Sequence, residues 1–123
     1  MLALKTLGAA RREVATLIFD EVDAGIGGAV AEVVGRRLRS LGRKQQVLCI
    51  THLPQIAAQA DHHYRVAKES LGGRTVATAR KLSAKERLQE LARMVGGVEV
   101  TAQARGHARE LLDQARRSAD RDA

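Results

Sequence analysis

The sequence predicts an α/β fold built on parallel strands, and three observations carry that reading. The first is the run Thr16-Leu17-Ile18-Phe19, which ends in Asp20-Glu21-Val22-Asp23 and then the glycine-rich Ala24-Gly25-Ile26-Gly27-Gly28. An apolar run bounded by charge and glycine reads as a buried strand ending at a loop. The second is another such run, Gln46-Val47-Leu48-Cys49-Ile50, closed by Thr51-His52-Leu53-Pro54-Gln55. The third is the helical spacing of Val30, Val33, Val34, Leu38 and Leu41 between them, stopped by Gly42. Strand, helix, strand is a βαβ unit, whose crossover is right-handed and whose strands lie parallel.

The remaining elements follow in order. Pro54 suits the first turn of a short helix, where its missing N–H would be unpaired anyway. Residues 63–68 and 74–80 alternate weakly around Ser70-Leu71-Gly72-Gly73, the pattern of an antiparallel hairpin. Ser83-Ala84-Lys85-Glu86 has capping-box spacing, so a helix starts at Ser83; Leu88, Leu91 and Val95 share its face and Gly96-Gly97 end it. Thr101 heads a last helix with Ala104, Ala108, Leu111, Leu112 and Ala115 inward, weakened at Gly106 by roughly 1 kcal/mol relative to alanine. From Arg116 onward charge alternates without apolar partners, which predicts a frayed tail over 116–123.

With 123 residues the chain has the size of one small domain. Phe19 and Tyr64 are its only rings, so any core rests on Leu, Val, Ile and Ala, which is thin for independent stability. No apolar run approaches membrane-spanning length and no leader pattern is present. A single cysteine, Cys49, excludes an internal disulfide and fits a reducing cytoplasm. The net charge of +7 favours polyanionic partners.

Two acids at the carboxyl end of a strand are costly to bury unless a metal or a reacting group needs them. Parallel pairing would put Asp20, Glu21 and His52 on one carboxyl edge, where open α/β sheets bind ligands. Polar strand ends are also simply solvated, and His52 could be a strand-end cap. Cys49-x-x-His52 followed by His62-His63 raises zinc, but Cys49 lies inside an apolar strand, where a small hydrophobe is expected.

The resemblance to a known family rests on these motifs. Residues 17–21 resemble the Walker B motif of ABC-type ATPases, Asp23 to Gly28 the D-loop, and His52 the switch histidine. More narrowly, Phe19-Asp20-Glu21-Val22-Asp23-Ala24-Gly25-Ile26-Gly27-Gly28 with Thr51-His52-Leu53-Pro54-Gln55-Ile56-Ala57 resembles RecN, a family of bacterial SMC-like DNA-repair proteins. Residues 88–97 resemble that family's late helix. The resemblance implies a partial ABC-type P-loop ATPase head, with parallel strands, crossover helix, β-hairpin and carboxyl-terminal helices. It implies that Asp20 holds Mg²⁺, commonly through a water, that Glu21 orients the attacking water, and that His52 touches the γ-phosphate of ATP. Mg²⁺ keeps several waters and takes few protein carboxylates, which suits a single acid beside a nucleotide. Asp23, Gly25, Gly27 and Gly28 would form the D-loop of a head homodimer. This loop has Gly27 where many ABC proteins have an aspartate. Its glycines permit positive φ and close backbone approach, or form a plain loop. Asp23 reaches across the interface or caps the following helix.

No Gly-x-x-x-x-Gly-Lys followed by Ser or Thr occurs, so the chain lacks its own phosphate cradle. The resemblance places the Walker A motif and the coiled coil upstream. The whole chain is then expected to be the carboxyl-terminal portion of one head, starting at an internal methionine and inactive alone. Its expected role is double-strand break repair and recombination, cytoplasmic and nucleoid-associated. The alternatives are a head fragment of another SMC or ABC chromosome-organising ATPase, or a truncated DNA- or head-binding module. Arg36, Arg37, Arg39, Arg43 and Lys44, with Lys81, Lys85, Arg87 and Arg93, are candidates for non-specific contact with DNA phosphates. The near absence of aromatics excludes base stacking. A charged helix face is equally the ordinary solvated kind.

Overall fold

A computed structural model describes residues 15–20, 25 and 27–122. Strand β1 (Thr16–Asp20) is followed by helix α1 (Gly28–Gly42) and strand β2 (Gln46–Ile50). A single-turn helix α2 (Pro54–Ala57) leads into the hairpin β3 (Tyr64–Leu71) and β4 (Arg74–Lys81). Helices α3 (Ala84–Gly96) and α4 (Ala102–Asp122) complete the order. The fold is α/β, with the parallel pair, hairpin and closing helices the sequence predicts.

Strands β1 and β2 pair in parallel with Thr16 opposite Gln46 and Asp20 opposite Ile50. Alternation sends Leu17, Phe19, Val47 and Cys49 to one face and Ile18, Leu48 and Ile50 to the other. The first face packs beneath α1 and α2 around buried Phe19, Ala31, Leu38 and Ile56. The second face is open among the described residues: Ile18 is 61% exposed and Ile50 58%. The strand expected to be buried is therefore covered on one side.

Helix α1 departs from its sequence pattern. The expected core positions Val30 and Val33 are about half exposed, while Ala31, Gly35 and Leu38 are buried. Close approach of α2 is the reason. A Cβ on Gly35 would stand 2.9 Å from Gln59 Cγ and 3.2 Å from Ile56 Cα, so glycine is what fits at that crossing.

Beyond α2, a second core joins Ala57 and Ala58 to Leu91, Ala92 and Ala108 from α3 and α4. Helix α2 thus belongs to both cores. In the hairpin, Leu71 opposes Arg74 across Gly72 and Gly73, whose φ values of +55° and +80° meet the demand of a two-residue turn for left-handed backbone. Ser83 caps α3 through Glu86 N–H at 3.2 Å, and the Glu86 carboxylate accepts the Ser83 N–H at 3.1 Å. The Ala104 N–H donates to Thr101 Oγ1 at 3.0 Å, which fixes the start of α4.

The predicted frayed tail is helical instead, with α4 continuing to Asp122. An arginine of α1 and the one that follows its last residue supply the partners that the sequence pattern lacked. Arg39 donates to the Ala115 carbonyl at 2.8 Å, and Arg43 to the carbonyls of Ala119 and Asp122. Cations at a helix carboxyl end meet its orphan carbonyls and the negative end of its dipole. Arg36 joins them 3.8 Å from the Asp122 carboxylate. These side chains were candidates for DNA phosphates; Arg39 and Arg43 are committed to α4.

Candidate functional site

The parallel register determines the site. Asp20 and Ile50 are the last residues of their strands and lie opposite each other, so the chain leaves both strands at one edge. Asp20 is exposed there, and His52, two residues beyond β2, is exposed as well. Glu21 and Asp23 lie outside the described residues.

After β2 the backbone turns at once. Leu53 N–H donates to Thr51 Oγ1 at 3.0 Å, and Leu53 is the N-cap of α2, with Pro54 at its first position. His52 therefore stands between a strand end and a helix start, both of which are fixed. Ile56 anchors α2 in the core below α1, and Ala57 anchors it in the core below α3.

The glycine segment behaves unevenly. Gly25 has φ +76°, as expected of a turn only glycine adopts freely. Gly27 has φ −90° and is the N-cap of α1, which no side chain caps; its carbonyl accepts from Ala31 N–H at 2.8 Å. Neither Gly27 nor Gly28, which is helical, uses the positive φ that glycine permits. Gly28 instead lies against the other half of the site: a Cβ there would meet Gln55 Nε2 at 3.4 Å. This juxtaposition brings the glycine loop's end to the segment after His52.

Two participants escape a sequence reading. Gln55 lies beside Gly28 with a buried Oε1 that has no hydrogen-bond partner among the described residues. Arg87, in α3, turns inward and caps α2: its Nη2 donates to the carbonyls of Ala57 at 3.0 Å, Ala58 at 3.1 Å and Ala60 at 2.6 Å. Burial, and then the nearby Arg39 charge, lower the Arg87 pKa, and its Nε is buried without a hydrogen-bond partner among the described residues. Glu90 binds Arg93 through both carboxylate oxygens, and that pairing holds its carboxyl below the ordinary range. His63 is pushed down by burial and by Arg87, against the opposing pull of Glu90.

One exposed carboxylate and one exposed imidazole on a strand edge can do limited chemistry alone. No group of three or more His, Cys, Asp or Glu able to hold a metal occurs among the described residues. A single carboxylate does fit Mg²⁺ that takes its remaining ligands from waters and phosphates.

No protein-family model matches the chain. The fold is shared with a solved chain from work on ATP-driven dimerization and DNA stimulated activation of SMC ATPases, which superposes at a TM-score of 0.59. It covers 75% of this chain and 56% of its own length at 22% identity, a likeness of fold. Among curated proteins, the DNA repair protein RecN of Bacillus subtilis (strain 168) is 47% identical over 115 residues, 94% of this chain. That of Treponema pallidum (strain Nichols) is 50% identical over 112 residues, 91% of the chain. The chain belongs to the RecN family and matches the carboxyl-terminal part of its members. It spans 20% of the length of each of these two relatives.

Proposed function

We propose that this chain is the part of a RecN-type head that completes an ATP hydrolysis site, in a protein that repairs and recombines broken DNA. The observation that carries the proposal is the shared edge: the parallel register sets Asp20 level with the strand end that leads to His52. Asp20 would hold Mg²⁺ beside the phosphates, Glu21 would orient and polarise the attacking water, and His52 would touch the γ-phosphate. Bound ATP and Mg²⁺ supply the transferable phosphoryl group and the charge that neutralises it. An imidazole donates to phosphate in either charge state if the tautomer is right. Asp23, Gly25, Gly27 and Gly28 would face the second head of a homodimer, where the phosphate cradle missing from this chain would come from elsewhere in the protein. DNA would be held through its phosphates, without sequence preference, in a nucleoid-associated, cytoplasmic setting.

The test is Glu21→Gln in a full-length protein that carries this segment. The amide keeps the shape but accepts no proton, so ATP binding should persist while turnover stalls. Loss of nucleotide binding would make Glu21 structural instead. The 123-residue chain by itself should show no ATP hydrolysis above a Glu21→Gln control.

A further inference from the structure

We propose that Arg87 is a positioning residue for His52, acting through the carboxyl end of α2. The proposal rests on the reading of His52 as the residue that meets the γ-phosphate.

Helix α2 has four residues, far below the length at which a helix is stable unaided. Its amino end follows His52 by one residue and has no side-chain cap, so its orientation rests on the packing of Ile56 and Ala57 and on what holds its carboxyl end. At its carboxyl end Arg87 Nη2 donates to the carbonyls of Ala57, Ala58 and Ala60, the first of which also accepts the Ala60 N–H at 3.2 Å. A turn of four residues is only about 6 Å long. A rotation of α2 at the Arg87 end therefore reaches Leu53 and His52 with little to absorb it.

The arrangement has the character of a placement device. The guanidinium is held where burial disfavours its charge, with no hydrogen-bond partner for Nε among the described residues, although a neutral side chain of similar bulk would fill the space. What a neutral side chain would lose is the fan of three bonds that fixes the direction in which α2 ends. It also ties α2 to α3, so the His52 segment takes its orientation from a helix with no residue at the strand edge. Misplacement of a reacting group by about 1 Å costs on the order of 100-fold in rate.

The experiment is a double-mutant cycle in the full-length protein, with steady-state ATP hydrolysis, equilibrium binding of ATP and thermal unfolding measured on each variant. Arg87→Ala should lower kcat by about 10- to 100-fold, with KM and ATP affinity nearly unchanged. Arg87→Lys can reach some of the same carbonyls and should recover part of the loss. Arg87→Ala combined with His52→Ala should be no slower than His52→Ala alone, because the first acts through the second. If the two losses multiply, or if Arg87→Ala lowers kcat only in step with thermal stability, Arg87 is structural and the proposal falls. If His52→Ala leaves hydrolysis unchanged, the reading of His52 fails and takes this proposal with it. Should Arg87→Ala not fold, the cycle run with Arg87→Lys decides by the same criterion.

Discussion

His63 sits where β3 begins, and its carbonyl accepts the Leu82 N–H at 2.9 Å that closes the hairpin base. Its Nδ1 is buried without a hydrogen-bond partner among the described residues, and burial with the facing Arg87 charge lowers its pKa from the ordinary 6.5, outweighing the attraction of Glu90. The unfolded chain then takes up a proton at pH values where the folded chain does not. Stability from this residue is complete above pH 6.5 and is lost as pH falls below it. Glu90, held below 4.5 by Arg93, adds its own loss only at lower pH. Thermal unfolding followed from pH 7 to pH 5 should therefore show a falling midpoint. His63→Asn should flatten that slope, and an unchanged slope would place the titrating group elsewhere. None of this is visible in the sequence, where His62-His63 raises only the thought of a metal. Arg87 is equally hidden, because an arginine in a helical pattern reads as surface charge until its partners 27 to 30 residues away are known.

At the scale of elements, legibility follows the range of the interaction. The hairpin turn at Gly72-Gly73, the Ser83–Glu86 capping box and the Thr101 cap are written in neighbouring residues, and each forms as the spacing predicts. The inward face of α1 does not, because its small residues answer to α2, some 20 positions on. Gly35 makes the point measurable. Alanine would favour the isolated helix by about 1 kcal/mol. Its methyl group, however, would meet Ile56 Cα at 3.2 Å and Gln55 O at 3.3 Å, both backbone atoms that move only with α2. Overpacking of this kind costs about 1–3 kcal/mol, so Gly35→Ala should lower the unfolding midpoint in spite of its better propensity. A raised midpoint would show that α2 has room to shift.

For the whole molecule, the sheet face left open among the described residues is decisive. Parallel sheets are ordinarily covered on both faces, yet Ile18, Leu48 and Ile50 are 61%, 46% and 58% exposed. The chain alone should bind an apolar dye such as ANS and self-associate. Threonine at all three positions, a good strand former, should suppress both with little change in the unfolding midpoint. A collapse of the midpoint would mean that this face belongs to the chain's own core. The candidate site was legible at this scale because one register brings Asp20 and His52 to one edge. Glu21 and Asp23 remain expectations of sequence, since they lie outside the described residues.

The bonds from α1 to the end of α4 bear also on the order of folding. Arg39 and Arg43 meet carbonyls 76 to 79 positions further along the chain. During synthesis the βαβ unit is complete while those carbonyls have yet to be made; Arg39 can meet Asp61, 3.7 Å away in the finished fold, but Arg43 waits until nearly all of the chain has emerged. Closing so long a loop delays the contact more than it weakens it, because closure entropy grows only logarithmically with length. The last turns of α4 thus act as a late latch, and a chain halted before Ala115 would leave Arg36, Arg39 and Arg43 without their partners in that helix.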